Sequence, residues 1–247
     1  MTAKRKPDAN GLVISKIVDS YKGNRKLVGV ALEQLRLAVA GGDALMAHVH
    51  SLRWRTKDPL HLKDKLQRKL KKALDSNESF DISVDNYPEK INDLAGLRIL
   101  HLHTTQIVEI DRELQKLFKD YRYEVIEVAK ARTWDDEYRK FYQSVGIGIV
   151  DSPKMYTSVH YVVSPDRDRK ITCEIQVRTL AEELWGEVDH SMNYPHETKV
   201  VSCREQIKVL ARVTSSCSRL VDSIYVAAAD SRKEKVKNSR KNEANNK

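Results

Sequence analysis

The sequence has few of the residues that define secreted, zinc-binding or membrane-spanning chains. Its 247 residues include only three cysteines, Cys173, Cys203 and Cys217, and no two of them form a CxxC pair. This odd, scattered set argues against a disulfide framework and against a zinc cluster. No apolar run approaches the ~18 residues of a membrane span, and residues 12–23 are too short and too charged for a secretory signal. We expect a protein of the reducing cytoplasm with no membrane contact.

Positive charge is concentrated in a few places. The net charge is +9, of which residues 1–8 carry +2 and residues 231–247 carry +5. The Lys/Asn-rich stretch 231–247 predicts a disordered basic tail, either solubilising or in contact with nucleic acid. Within the nearly neutral body, residues 53–72 hold nine Lys/Arg against two Asp. That local excess indicates an anionic partner.

Hydrophobic periodicity divides the chain into a central domain and helical flanks. Residues 1–46 are predicted as an N-terminal helical extension, 47–198 as the main domain and 199–230 as a C-terminal helical segment. Inside the main domain we predict strands near 47–55, 95–102 and 121–128, and helices to Leu74 and over 105–119. Residues 131–150 give no clear pattern. In the C-terminal segment one buried side is predicted to hold Ile207, Leu210, Val213 and Leu220.

Two alternating stretches, 156–163 and 170–179, predict an antiparallel hairpin with one apolar and one polar face. The intervening SPDRDR is typical of a turn. The residues gathered on the polar face are Tyr156, Ser158, His160, Glu174 and Gln176. Such a face is either a solvated surface or part of a functional site.

A helix is predicted to follow this hairpin, because Thr179 and Glu182 form a capping-box pattern. A helix N-terminus attracts phosphate through its free N–H groups. His190 and Tyr194 follow one helical turn apart, as packing residues or as part of a site.

The basic segment predicts an amphipathic helix with leucines every four residues and a cationic flank that includes Lys65 and Arg68. Arg55 and Lys57 lie two apart on the preceding strand, so they share a side. Asp93 stands before a buried strand at a glycine-containing bend. It is either a turn cap or, together with Glu174, a ligand of Mg²⁺, which prefers oxygen ligands.

Several motifs in order resemble one family. Residues 47–198 resemble the RelA/SpoT synthetase domain, which also occurs alone in small alarmone synthetases, through RTK…LKDKLQRK, INDLAGLRI, YTSVHYVV and EIQVRTLAEELWGEVDHSMNY. The resemblance implies an α+β fold with a mixed, partly antiparallel β-sheet flanked by helices, related to nucleotidyltransferases. It implies no hydrolase domain in this chain, so breakdown of the product is not expected.

The resemblance also implies roles for individual residues. The catalytic and Mg²⁺-binding carboxylates would be Asp93 and Glu174. The ATP-binding set would be Arg55, Lys57, Lys65 and Arg68. The acceptor site would be Tyr156, stacking on the base, with His160 and Gln176. Supporting positions would be Arg98, Lys154, Arg178, His190 and Tyr194.

The implied reaction moves the pyrophosphate of ATP to the 3′ hydroxyl of GDP or GTP, giving (p)ppGpp and AMP. One departure opens an alternative: the family's loop has a glycine before the stacking tyrosine, and here Met155 precedes Tyr156. The same chemistry on the 3′ end of tRNA, as a toxin, is therefore the second reading, and a non-catalytic nucleotide- or RNA-binding module is the third. An antitoxin or a second copy of the chain as partner stays open.

Overall fold

The computed structural model describes residues 9–166, 168, 170–194 and 197–245, without the side chains of residues 9, 10 and 234–245. The helices are α1 (Ala9–Ala40), α2 (Asp43–Met46), α3 (Pro59–Asp75), α4 (Tyr87–Lys90), α5 (Ile107–Asp120), α6 (Asp136–Ser144), α7 (Leu180–Asn193) and α8 (Val201–Asn245), with a 3-10 turn at Thr104–Gln106. The strands are β1 (Ser51–Thr56), β2 (Ala95–His101), β3 (Glu124–Thr133), β4 (Gly148–Asp151), β5 (Ser158–Asp166) and β6 (Ile171–Thr179).

The six strands form one mixed sheet in the order β1-β2-β6-β5-β3-β4. β2 and β6 run parallel, as do β3 and β4, whereas the other neighbouring pairs are antiparallel. The predicted hairpin of β5 and β6 is confirmed, with His160 opposite Gln176 and Val162 opposite Glu174. The predicted mixed α+β class is confirmed as well.

One face of the sheet is covered by apolar side chains and helices. The buried cluster takes Val159, Tyr161 and Ile175 from the central strands and Leu114 from α5. Helix α1 joins this same cluster through fully buried residues such as Tyr21. The segment predicted as an N-terminal extension is therefore part of the core.

Local sequence signals explain where the helices near the site begin. The side chain of Asp58 caps α3 by accepting hydrogen bonds from the backbone N–H groups of Leu60 (2.8 Å) and His61 (3.3 Å), and Pro59 suits the first helical turn. Thr179 and Glu182 form the predicted capping box of α7. These caps fix α3 and α7 at the ends of β1 and β6.

The prediction for α8 is correct in its helical structure and correct for the inward side of Ile207 and Leu210, which pack in one cluster, but it is wrong for Val213 and Leu220. Ile207 is buried, but Val213 and Leu220 are 57% and 63% exposed. The buried side beyond Ile207 is made mostly of small and polar residues: Ala211, Thr214, Ser215 and Ser218. Hydrophobicity alone therefore identified the packed side of α8 near Ile207 and failed farther along the helix.

Helix α8 continues to Asn245, across most of the segment 231–247 that was predicted as a disordered tail. Lys, Arg, Glu and Ala have good helix propensity, and this composition continues a helix already begun. Among the described helices, none has a stretch long and apolar enough to span a membrane.

Candidate active site

A cavity of about 440 Å³ opens on the polar face of the sheet. Its floor is formed by β1, β2 and β6, and its sides by the start of α3 and the end of α7. Parallel pairing of β2 with β6 sets Gly96 beside Glu174, and a glycine there leaves the floor open above the backbone. Of the predicted site residues, those lining the cavity are Arg55, Lys57, Asp93, Arg98, Glu174, Gln176, His190 and Tyr194.

Asp93 lies at the cavity edge between two lysines. Its Oδ2 is 2.7 Å from Nζ of Lys57 and its Oδ1 is 2.7 Å from Nζ of Lys65. Burial raises the pKa of this carboxyl, but the two ammonium groups outweigh burial and hold the pKa below its ordinary value. Asp93 is therefore an anion at neutral pH. Lys65 is brought to the site through this ion pair, although it does not line the cavity wall.

Glu174 is held from behind by two side chains. His160 Nδ1 lies 3.1 Å from Oε1, and Gln176 Nε2 donates to Oε2 at 2.7 Å. Burial raises the pKa of Glu174 and nearby Asp93 also raises it, but the hydrogen bonds from His160 and Gln176 leave the pKa below its ordinary value. The two carboxylates, 81 positions apart in the sequence, thus face one cavity as anions.

An aromatic and cationic stack forms one side of the cavity. The rings of His190 and Tyr194 are stacked with centroids 4.6 Å apart, and His61 meets Tyr194 edge-on at 5.0 Å. The guanidinium of Arg68 lies 5.3 Å from the centre of the Tyr194 ring. Arg68 is thus connected to the site through Tyr194, outside the cavity wall. Burial lowers the pKa of His190, and Arg55 lowers it further.

An ion-pair network closes the end of the cavity near α7. Glu183 accepts hydrogen bonds from Arg53 (2.7 Å) and Arg98 (3.0 Å), and it also pairs with buried Arg178. Arg98 additionally pairs with Glu187. This network neutralises part of the basic charge and fixes the predicted supporting residues Arg98 and Arg178 in place. Only Arg98 of these two reaches the cavity wall.

The predicted acceptor residues are not all brought to the cavity. Tyr156 precedes β5 and is half-buried against Trp185, with ring centroids 6.2 Å apart. His160 lies between Tyr156 and Glu174. Lys154 is exposed in the turn before β5, and it is not among the residues that line the cavity. The acceptor role of Tyr156 and His160 and the supporting role of Lys154 stay predictions.

Sequence analysis did not assign every lining residue to the site, and the unassigned ones include Arg53, Trp54, His61 and Glu187. A signal existed for Arg53, since it continues the two-residue spacing of Arg55 and Lys57 on one strand face. The other three carried no comparable signal, because their role depends on how α3 and α7 meet β1.

The two carboxylates suit a hard divalent cation whose remaining ligands come from a substrate. In the described part of the chain no group of three or more His, Cys, Asp or Glu side chains could enclose a metal. Two carboxylates with room beside them are nevertheless what Mg²⁺ commonly uses when substrate phosphates supply further ligands. Asp93 and Glu174 therefore fit a shared metal–nucleotide site better than a closed structural one.

The chain is similar in sequence to known proteins. The family model described as the region found in RelA/SpoT proteins matches residues 54–199. The GTP pyrophosphokinase YjbM of Bacillus subtilis (strain 168) is 28% identical over 138 residues, which cover 53% of this chain and 55% of that protein. The match thus spans about half the length of this curated relative.

Solved structures show the same fold. Small alarmone synthetase 1 from Bacillus subtilis, bound to its product pppGpp, superposes with a TM-score of 0.57 at 19% identity, over 85% of this chain and 99% of that one. The same synthetase bound to AMPCPP gives a TM-score of 0.53 at 19% identity, over 82% and 94% of the two chains. Because the family match covers more than half of the sequence, the chain belongs to the family defined by the region found in RelA/SpoT proteins.

Proposed function

We propose that this protein is an ATP-dependent pyrophosphokinase that transfers the β,γ-pyrophosphate of ATP to the 3′ hydroxyl of GDP or GTP. The observation that carries the proposal is the convergence of Asp93 and Glu174 on one cavity that also presents Arg55 and Lys57. A related synthetase has been solved with pppGpp and with AMPCPP. A cavity of about 440 Å³ is within the usual range for small-molecule sites.

The residues of the cavity suit phosphoryl-group transfer, in which positioning and charge neutralisation dominate. The acceptor's 3′ oxygen forms a bond to the β-phosphorus, the bond from that phosphorus to the bridging oxygen of AMP breaks, and AMP leaves with that oxygen. Arg55 and Lys57 face the triphosphate and offset its charge. Glu174 accepts the proton of the 3′ hydroxyl, since it is ionised and lies in the cavity floor.

Asp93 and Glu174 would also hold Mg²⁺. The ion would supply charge neutralisation at the ATP phosphates. Lys57 and Lys65 already bind the two oxygens of Asp93 in the structure. These lysines keep Asp93 ionised and oriented before nucleotide arrives.

Label transfer tests the proposal directly. Purified protein is incubated with γ-³²P-labelled ATP, Mg²⁺ and either GDP, GTP or bulk tRNA, and the products are separated by chromatography. We expect label in ppGpp and pppGpp together with stoichiometric AMP. Absence of label transfer to all three acceptors would contradict an enzymatic role and favour a binding module.

A second candidate acceptor is tRNA, and helix α3 supplies a specific observation in its favour. Lys63, Lys71 and Lys72 are exposed, and within the described chain none of them has an ion-pair partner. Exposed cations on a helix that borders the cavity are suited to a polyanionic backbone. In this reading the triple substitution Lys63→Glu, Lys71→Glu and Lys72→Glu lowers label transfer to tRNA and leaves transfer to GDP unchanged.

A further inference from the structure

A continuous chain of side-chain contacts leads from the loop before β5 to the cavity floor. The hydroxyl of Tyr156 lies 3.0 Å from Nε2 of His160, and Nδ1 of the same ring lies 3.1 Å from Oε1 of Glu174. The other oxygen, Oε2, accepts a hydrogen bond from Gln176 at 2.7 Å. Both oxygens of the carboxylate are therefore fixed from the protein side.

The chemistry of the three groups determines which atom donates and which accepts in each of these hydrogen bonds. An ionised carboxylate only accepts hydrogen bonds, so the proton between His160 and Glu174 belongs to Nδ1 of the ring. In the neutral ring Nε2 then has a lone pair and accepts the O–H of Tyr156. The hydroxyl of Tyr156 thereby adds to the preference of Glu174 for the same tautomer of His160.

The outer end of the chain is itself anchored. The backbone N–H of Tyr156 donates to Oγ of Ser152 at 3.2 Å, and the guanidinium of Arg178 lies 5.7 Å from the centre of the ring. The preceding Met155 has a left-handed backbone with φ of 61°, and its side chain packs with Trp185. A residue with a side chain in this conformation needs support from its surroundings. Packing under α7 and α8 supplies that support and fixes where Tyr156 points.

We propose that Tyr156 and His160 are positioning residues for Glu174, acting through the hydrogen bonds Tyr156 O–H to His160 Nε2 and His160 Nδ1–H to Glu174 Oε1. This inference rests on the proposed pyrophosphokinase function, and it assigns the hydroxyl of Tyr156 a role separate from any contact of its ring with the acceptor. It also makes His160 a support of the proton-accepting carboxylate.

The substitution Tyr156→Phe removes the hydroxyl and keeps the ring, so it distinguishes the role of one from the role of the other. We expect this variant to lower kcat about tenfold, which is the lower end of the effect seen when a residue that orients a metal ligand is lost. The Kd for GDP, measured by calorimetry without ATP, should stay within about twofold of the wild-type value. Tyr121→Phe is the matched control, because Tyr121 is 56% exposed on a different surface. An unchanged kcat in Tyr156→Phe, equal to that of the control, would overturn the proposal.

A double-mutant cycle tests the connection through His160. In His160→Asn the amide can still donate to Glu174, so we expect a kcat close to that of Tyr156→Phe and above that of His160→Ala. Adding Tyr156→Phe to His160→Asn should then cause no further loss. Losses that multiply in the double variant would show that the two residues act independently and would refute the chain.

A readout without turnover completes the test. Long-range ¹H–¹⁵N NMR of the histidine rings reports which nitrogen carries the proton. We expect the Nδ1–H tautomer for His160 in the wild type and a smaller share of it in Tyr156→Phe. An Nε2–H tautomer in the wild type would overturn the inference. A wild-type protein that shows the Nδ1–H tautomer but transfers no pyrophosphate to GDP or GTP would instead refute the proposed function.

Discussion

Asp135 connects α6 to α8, and its removal should destabilise the whole protein. As the N-cap of α6, its Oδ1 accepts hydrogen bonds from the N–H groups of Glu137 (2.9 Å) and Tyr138 (3.3 Å). Its Oδ2 accepts from Oγ of Ser215 and from the guanidinium of Arg219, both at 2.7 Å. One buried carboxylate thus satisfies four donors on two helices.

These contacts set the size of the expected effect. Loss of an N-cap costs about 1 kcal/mol, and the bond from the Ser215 hydroxyl to a buried anion contributes about 1.5 kcal/mol. The ion pair with Arg219 adds only about 0.5 kcal/mol, because the arginine side chain is 36% exposed and solvent screens it. We predict that Asp135→Ala lowers the free energy of unfolding by about 3 kcal/mol at pH 7.

Urea unfolding followed by circular dichroism measures this quantity. Asp136→Ala is the matched control, since its neighbouring carboxylate is 85% exposed and should change stability by less than about 0.5 kcal/mol. Equal effects of the two substitutions would refute the role of Asp135 as a joint between α6 and α8.

The pH dependence of the same variant carries a second test. Burial raises the pKa of Asp135, but Ser215 and Arg219 outweigh it and leave the pKa below its ordinary value. A carboxyl whose pKa is lowered by folding stabilises the protein above its unfolded pKa, and this contribution disappears as the pH falls through the folded pKa. The difference between wild type and Asp135→Ala should therefore shrink below about pH 4.

Three further predictions concern the site and the helices behind it. Lys57→Met should lower kcat/KM for ATP about 30-fold, an effect of about 2 kcal/mol, because it removes a cation that contacts Asp93. As a control, Lys63→Met, in an exposed position, should leave transfer to GDP unchanged in the same steady-state assay. Trp185→Phe removes the indole N–H donated to a carbonyl of α8 at 3.0 Å, so unfolding in urea should show a loss of about 2 kcal/mol, and a loss below about 0.5 kcal/mol would contradict this role. Burial raises the pKa of Glu182 to about 7, so the wild type should lose stability relative to Glu182→Gln as pH rises from about 4.5 through 7; parallel Tm profiles for the two proteins would contradict the assignment.

How much of the fold the sequence reveals depends on the length and periodicity of each element. β5 and β6 are nine residues long each, and the alternation of residue types along them is enough to predict the hairpin and its apolar face. Residues 131–150 resisted prediction because they contain a nine-residue helix and a four-residue strand. Elements of that length show little more than one or two periods of any pattern.

Helix α8 shows where hydrophobicity misleads. Its buried side includes Ser215 and Ser218, which contact polar groups of α6 and β6, while Val213 and Leu220 face outward. A polar interface of this kind is set by partners far away in the sequence. Local periodicity cannot supply it.

The candidate site also contains residues that local motifs predict and contacts that only the packed structure shows. The carboxylates and Arg55 and Lys57 could be predicted because their motifs are local and ordered. The contact of Lys65 with Asp93 and that of His160 with Glu174 depend on the packing of α3 on β1 and on the register of β5 with β6. Such contacts need the assembled sheet.

AMP formation by carboxylate variants is the most direct test of the central claim that Asp93 and Glu174 act together in one cavity. With ATP, Mg²⁺ and GDP, we predict that Asp93→Asn and Glu174→Gln each lower kcat at least about 100-fold. Asp120→Asn, at an exposed helix end, should retain wild-type turnover, and circular dichroism should show that all three variants are folded. AMP formation near the wild-type rate in either carboxylate variant would contradict the account.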